Sequence, residues 1–443
     1  ALKYRLFPDE SQREHLDWVR DTARQLYNHA LHRFNRLPES AGTVKQRVTQ
    51  VRDEIPDLKD WWTDLTNIYS TVLQQAVEQI ATNIQNLGKL KQKGFDVGSV
   101  NWKAPHEYRS FTYRQRGFEL DNNSGPTGRG TLVLKKVNGE TLDVPLRLHR
   151  DIPDDTDIKH VTVKKDKTGA WYACLCVERD MPEKPDPGGI DVEDTIGLDL
   201  GILSFVHDSD GRAIGRLDLS DDRERLAGEQ RNLSRKEHGS SNWEDQRQVV
   251  AKVHKEMRRK KLDFKHKLAF AYTTVYDAVF VENLNVKSML EGPRNGRNTH
   301  EVGWRDFITI LKHHGNKHGC HVREVNPKDT TQACNRCGVK TEKPLWIREH
   351  SCPSCGFETG RDHNAALNIW ERGLRKLGVV HSEAPTSSES QRDSDGLRKS
   401  FHDFRTPAET ATAVEQTHRG SVSASRVVET GSPCLNEPAS AGE

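Results

Sequence analysis

The chain is 443 residues long, 34% hydrophobic and 30% charged, with a formal net charge of +2. That length holds two or three cores, and so low an apolar fraction assigns much of the chain to surface and loop. No apolar run approaches a membrane span, and the opening ALKYRLFPDESQ lacks the charged-then-apolar order of a signal peptide, so a cytoplasmic, nucleoid-associated protein is expected.

Residues 3–7 read as a short strand ended by Pro8. Leu16, Val19, Ala23, Leu26, Ala30 and Phe34 then recur at helical spacing, as do Leu73, Ala76, Val77, Ile80, Ile84 and Leu87. Residues 9–93 are therefore expected to be mainly helical, with Trp61 and Trp62 near a turn. From about 104 to 180 the stretches SFTYRQRGFEL, TLVLKKV, LDVPLRL, HVTVKKD and WYACLCVE are β-rich and punctuated by Gly and Asn, as in an antiparallel sheet or small barrel. The Pro/Gly run MPEKPDPGG (181–189) marks a linker.

Beyond it, TIGLDLGILSFVHDSDGRAIGR reads as a strand, a tight turn at Asp210-Gly211 and a returning strand. One long basic helical region is expected over about 222–275. Between Arg231 and Lys267 it carries twelve Lys/Arg against five Asp/Glu, which suits either a polyanion partner or a solvated helix face. A buried-looking strand, AVFVENL, follows, then a helix around Trp304 to Leu311, the strand HVREVN, a cysteine loop and a helix from about 362. From about 380 the chain turns rich in Ser, Thr, Glu and Gly, and reads as disordered.

Two CxxC pairs, Cys334/Cys337 and Cys352/Cys355, stand 14 residues apart, each followed by glycine. Four thiolates around a tetrahedral zinc leave no open position, so the spacing predicts a structural zinc ribbon. Cys174, Cys176, Cys320 and Cys434 stand singly.

Three acids occupy informative places: Asp199 near the end of one strand, Glu282 at the end of another, and Asp362 at the start of the last helix. Taken singly, each has an ordinary structural reading as a turn, a strand end or a helix-dipole partner. Together they resemble the acidic set of the ribonuclease H fold, in which converging carboxylates hold magnesium, or manganese, for phosphodiester hydrolysis. GLDLG also resembles the phosphate loop of actin-like ATPases, but the hydroxyl residue and second such loop of those proteins are missing here.

The segments IGLDLGILSFVHDSDG, RNLSRKEHGSSNWEDQRQVVAKVHKEMRRKKLDFKHKLA, VFVENLNVKSM, TTQACNRCG and SCPSCGFETGRDHNAALNIW occur in an order that closely resembles the OrfB/TnpB-type insertion-sequence proteins, relatives of type V CRISPR effectors. The resemblance runs from YRLFPDESQREHL to about residue 378. It implies a multidomain α+β protein: a RuvC-like (ribonuclease H fold) α/β nuclease core with an inserted zinc ribbon, an N-terminal helical lobe and a β-barrel wedge domain. The divisions implied are 1–8 as first wedge strand, 9–93 as helical recognition lobe, 94–180 as wedge and 181–194 as linker. The nuclease core then spans 195–330 with a basic helical insert, the ribbon 331–359, the last core segment 360–380 and a tail 381–443.

The resemblance further implies an RNA-guided, Mg-dependent DNA endonuclease that pairs a guide RNA from the transposon end with double-stranded DNA beside a short flanking motif. Asp199, Glu282 and Asp362 map onto its catalytic acids. Arg231, Arg235, Lys236, Arg247, Arg258, Arg259 and Lys260 become candidate phosphate contacts, and Tyr69, Ser70 and Gln74, with Thr71 and Gln75, candidate readers of the flanking motif. A non-cleaving guide-dependent repressor and a nucleic-acid-binding transposition accessory are the rival readings. The family commonly carries an aspartate two residues before its third acid; here that position is Gly360.

Overall fold

The computed structural model describes residues 1–114, 116–121, 128–150, 152, 156–202, 204–284, 303–344, 347–379 and 404. The expected tail, 381–443, therefore lies outside the described residues apart from Phe404, and Cys434 with it. The chain forms two compact units, one over residues 1–179 and a second that begins at residue 180. Among the described residues no helix is long and apolar enough to cross a membrane.

In the first unit the strand β1 (Leu2–Leu6) is cut off at Pro8, and Asp9 starts helix α1 (Glu10–Arg36) with a capping box to Gln12. Helices α2 (Val44–Asp53), α3 (Ile55–Trp61) and α4 (Ser70–Gln92) follow. Six strands come next: β2 (Ser110–Arg114), β3 (Phe118–Asp121), β4 (Arg129–Val137), β5 (Glu140–Arg147), β6 (Ile158–Lys165) and β7 (Trp171–Val177). They join β1 in an antiparallel sheet of order β2-β6-β7-β1-β5-β4-β3. After β1 the sheet resumes at Ser110, where the first of the β-rich stretches begins. Its edge strands, β2 and β3, are consecutive in sequence, so the few residues between them hold the two edges close and the sheet is nearly closed. Alternate residues of β5 point inward, and Leu142, Val144 and Leu146 share one core with Leu16, Val19 and Leu26 of α1 and Leu73, Val77 and Ile80 of α4.

The second unit is built on a five-stranded sheet of order β10-β9-β8-β11-β12. Its strands are β8 (Thr195–Asp199), β9 (Ser204–Asp208), β10 (Ala213–Gly215), β11 (Ala278–Glu282) and β12 (His321–Val325). β8, β11 and β12 run parallel, while β9 is antiparallel to both of its neighbours, β8 and β10. Three strands thus replace the single hairpin expected between Thr195 and Arg216. Leu200 and Gly201 already turn the chain, Gly201 N–H donating to Phe205 O at 3.4 Å, before the second turn at Asp210-Gly211. The expected long basic helical region consists of two helices, α5 (Ser220–Ser234) and α6 (Ser241–Val275). Gly239, at φ +84°, breaks the run, and Ser240 caps α6 through Trp243 N–H.

β8 and β11 are buried at every position because both faces are covered. Ile196, Leu198, Val279 and Val281 face α6 and α7 (Trp304–His318), whereas Ala278 and Phe280 face α8 (Arg361–Leu377). Between β12 and α8 lies the cysteine loop, with its own two-stranded ribbon of β13 (Glu349–Ser351) and β14 (Glu358–Gly360).

Candidate functional site

The parallel register sets Leu198 opposite Val281, so the next residues, Asp199 and Glu282, end neighbouring strands at the same level, about 4.8 Å apart in backbone. Period-two alternation puts Thr195, Gly197 and Asp199 on the face of Ala278, Phe280 and Glu282, which is the face α8 covers. Trp370 Nε1 donates to Thr195 Oγ1 at 2.7 Å on that side. Two glycines let the helix come down on the sheet. A Cβ on Gly197 would lie 2.4 Å from Ala366 O and 2.6 Å from Trp370 N, and one on Gly373 2.0 Å from the Phe280 ring.

From that contact Asp199 lies two strand residues onward, about 6.6 Å. Asp362 lies four helix residues back from Ala366, about 6 Å and on the same helix face. The helix runs against the strand, so the two carboxylates approach each other. All three acids therefore converge at one end of the sheet.

Their environment is electrostatically costly. Asp199 is 8% exposed and Glu282 6%. Burial pushes the Asp199 carboxyl well above the ordinary carboxylate range, and the negative charges of Glu282 and Asp362 add to the rise. Burial also raises Glu282, against the Thr330 hydroxyl, which donates to its Oε1. Asp362 has a cation instead: Arg348 Nη1 lies 3.4 Å from Oδ1.

The four cysteines repeat one local design twice. Gly338 and Gly356 take φ +74° and +71°, and their N–H groups donate to Cys334 O (2.8 Å) and Cys352 O (3.0 Å). Cys334 N–H donates to Val339 O and Cys352 N–H to Phe357 O at 3.0 and 2.9 Å. Sγ separations are 3.7 Å for Cys334–Cys355 and 3.5 Å for Cys337–Cys352. Zinc–sulfur bonds of about 2.3 Å at tetrahedral angles require sulfurs about 3.8 Å apart, so the four could hold a zinc ion. Among the described residues this is the set of His, Cys, Asp or Glu donors lying within 4.8 Å of one another; the three carboxylates do not close to that span. Backbone N–H groups of Cys355 and Ser354 hold the Cys352 thiol down at about 6, and burial pushes Cys334 up to about 12.

Several groups that the sequence reading passed over join these parts. Asn364 Nδ2 donates to Ala333 O (2.8 Å), and Asn368 Nδ2 to Thr330 O (2.9 Å) and Ala333 O (2.8 Å), fastening the first knuckle to α8. Arg361 donates from its backbone to Arg348 O (2.6 Å) and from Nη1 to Pro344 O (2.8 Å). His207 is the β9 partner of Asp199 and stacks on His363, ring centres 5.6 Å apart. The spacing of Asn364 and Asn368, one helical turn on the buried side, was the available signal for the clamp.

The basic candidates divide. Lys260 pairs with Asp222 at 2.8 Å and Arg247 with Glu244, so both have partners within the helix pair. Arg231 and Arg235 are exposed and Lys236 half-buried, at the end where α5 turns into α6. In the first unit Tyr69 is half-buried, its ring 5.8 Å from Tyr113, while Ser70 and Gln74 are exposed on the first turns of α4. Thr71 Oγ1 accepts from Arg114 N–H at 3.2 Å, and Gln75 donates to Glu78.

Acids at the ends of parallel strands, a four-cysteine module and a returning helix with a third acid define a class of mixed α+β protein, and the chain is similar to known proteins. The chain matches the Cas12f1-like TNB domain over 304–369, a family described as "Probable transposase" (OrfB of IS605) over 175–292, and a helix-turn-helix domain over 1–39. Over that last span the structure has one strand and the single long helix α1. A Streptomyces pristinaespiralis protein named "Putative RNA-guided DNA endonuclease" is 30% identical over 386 residues, covering 84% of this chain and 89% of the relative. InsQ of Escherichia coli K12, named likewise, is 25% identical over 88% of this chain and 96% of its own length. Among solved structures, Cas12f1 in its complex with sgRNA and target DNA superposes with a TM-score of 0.55 at 15% identity, covering 82% of this chain and 83% of that one. The chain belongs to the OrfB/TnpB family of insertion-sequence proteins.

Proposed function

We propose that this protein is a transposon-encoded RNA-guided DNA endonuclease that hydrolyses phosphodiesters at Asp199, Glu282 and Asp362. One observation carries the reading: two buried acids end adjacent parallel strands at one level, and a helix seated on Gly197 brings a third acid to them. The strand order, with β8 central between antiparallel β9 and parallel β11, supports a RuvC-like core of ribonuclease H type.

The donor set fits hard divalent cations, Mg²⁺ or Mn²⁺. It is all carboxylate oxygen, and the like charges gathered there are a buried cost that a cation offsets. When bound, such ions supply the charge that activates water and stabilises the leaving oxygen. The chain's own part is placement. β8 and β11 fix two carboxylates in rigid strands, Thr330 orients Glu282, and α8 with Arg348 orients Asp362.

In this reading the knuckles hold zinc and brace the third acid. The first unit supplies the helical lobe (9–93) and wedge sheet (94–180). Arg231, Arg235 and Lys236, with Arg258 and Arg259, serve the phosphates of a guide RNA from the transposon end and its DNA duplex, whereas Arg247 and Lys260 are engaged by Glu244 and Asp222. Tyr69, Ser70 and Gln74 serve the flanking motif. Base pairing would read the target and the protein only that short motif. The names of the two relatives support the nuclease assignment, and the sgRNA–DNA complex of Cas12f1 supports both partners.

The test is cleavage of plasmid DNA by protein loaded with its transposon-end RNA in Mg²⁺. Asp199→Ala should abolish cleavage and keep RNA binding; undiminished cutting by that variant overturns the assignment.

A further inference from the structure

Three tryptophans of the first unit gather at a recess to which nothing above gives a role. Trp61 ends α3, whose Ile55 and Leu58 already face the core, and stays 66% exposed; Trp102 is 59% exposed. Trp61 stacks on the half-buried Trp62, ring centres 5.9 Å apart and planes within 25°. His29, one turn from His32 on α1, meets both of these rings, and His32 meets Trp102 at 6.3 Å. The two imidazoles thus form a floor between an indole pair and a third indole. The space enclosed is about 600 Å³.

The far wall is pinned. Asn28, only 8% exposed, accepts from Lys103 N–H at 2.8 Å and donates to Lys103 O at 3.0 Å, so a buried amide is spent on holding the residue next to Trp102. Two large exposed rings on fixed backbone are expensive surface for a protein to keep open to water.

The lining chemistry selects the occupant. Five of the eight lining groups are polar and none is a carboxylate, so the recess suits neither a purely apolar peptide nor a cation. Burial lowers the pKa of His29, keeping its ring neutral and able to donate or accept. Arg24 is tied to Asp21 at 2.8 Å, which spends its charge locally. Flat apolar walls with a neutral polar floor match a heterocycle that has two π-faces and a mixed donor–acceptor edge.

We propose that the Trp61/Trp62/Trp102 recess binds a single unpaired nucleobase by stacking, with His29 and His32 meeting its edge. The proposal rests on the reading of the chain as a nucleic-acid enzyme and adds a base-binding site remote in sequence from the acids. Stacking tolerates any base, so the site grips an unpaired strand without reading its sequence.

Oligo(U) carrying 5-iodouridine, made as RNA and as DNA, tests this by photocrosslinking and affinity on the full chain. Crosslinks should map to Trp61 or Trp102. In Trp61→Leu/Trp102→Leu, which keeps apolar bulk without an aromatic face, they should vanish and affinity should fall on the order of tenfold. Trp61→Phe should retain most of the affinity, and an unchanged melting temperature in both variants separates the loss from misfolding. The RNA and DNA arms report which strand supplies the base. Crosslinks elsewhere with unchanged affinity in the Leu variant overturn the base site and leave the nuclease reading standing. Loss of self-association instead of oligonucleotide binding makes the recess a contact between copies. Failure of the unaltered chain to bind either oligonucleotide removes both readings.

Discussion

Asp199 and Asp208 sit on neighbouring strands, both buried, and their surroundings differ. Asp208 accepts from Arg212 Nε at 2.7 Å, Arg212 N–H at 2.9 Å and the Tyr272 hydroxyl at 3.0 Å, so its charge is answered inside the fold. Asp199 faces two further carboxylates. A raised folded pKa means that the protonated form is favoured in the native state. Its stabilisation is therefore full below the ordinary carboxylate range and is lost as pH rises through the raised value. Asp199→Asn, neutral at every pH, should raise the melting temperature of metal-free protein at neutral pH, by an amount that shrinks as pH falls; calorimetry in EDTA across pH 4–8 checks this. Added Mg²⁺ should then stabilise the native sequence more than the variant. Gly373 gives a second prediction. Alanine there gains about 1 kcal/mol in helix propensity, yet its Cβ would sit 2.0 Å from the Phe280 ring. Overpacking costs about 1–3 kcal/mol, and α8 can relieve it only by backing away with Asp362. Gly373→Ala should lower the melting temperature by up to roughly 4–8 °C and reduce cleavage together, measured by thermal melt and plasmid assay.

Helix α8 is the element through which the cysteine knuckles reach the acids. Asn364 and Asn368 hold Ala333, one residue before the first cysteine, and Arg348, between the two knuckles, lies against Asp362. With zinc held by the four cysteines, as proposed above, its removal would free both knuckles, because metal binding and local folding are coupled. Cys334→Ser should accordingly lower bound zinc and cleavage in parallel while RNA binding persists; metal analysis beside the plasmid assay decides it. How much of this was legible follows from the range over which each feature is encoded. The knuckles were, because cysteine spacing and the following glycine are local. So were β8 and β11, whose unbroken apolar runs ending in an acid signal strands buried on both faces. The extra strand Ser204–Asp208 was not, because its hydrophobic run continues that of β8 and only the turn at Leu200-Gly201 divides them. The basic helical region divides at Gly239, and its charge is uneven: α6 carries nine Lys/Arg against four Asp/Glu, whereas α5 carries three against four. Gly197 and Gly373 acquire meaning only once α8 lies across the sheet, which joins residues 169 (366 − 197) and 93 (373 − 280) positions apart. Gly360, where the family commonly has an acid, has backbone at φ −62° and ψ 140° that any residue could adopt, so its departure is one of side-chain chemistry and not of shape.

For the whole molecule a net charge of +2 predicts weak attraction to nucleic acid, yet the segment 231–267 is strongly basic. What matters is how much of that charge is spent internally. Lys260 answers Asp222 and Arg225 answers Glu256, pairs that hold α5 and α6 in register, and Arg247 answers Glu244 within α6. Arg231 and Arg235, exposed where the two helices turn, make no ion pair within the described residues, and neither does Lys236 beside them. Each phosphate contact releases counterions and adds about 0.7–0.9 to the slope of log affinity against log salt. Arg231→Ala/Arg235→Ala should therefore flatten that slope by roughly 1.4–1.8, weakening RNA binding most at low salt. Lys260→Ala should leave the slope nearly unchanged and instead lower the melting temperature slightly, since an exposed pair contributes about 0–1 kcal/mol. Filter binding from 50 to 300 mM salt distinguishes the two classes. If Lys260→Ala flattened the slope and the arginine pair did not, the phosphate-binding surface would lie along the middle of α6, and its internal ion pairs would open when the nucleic acid binds.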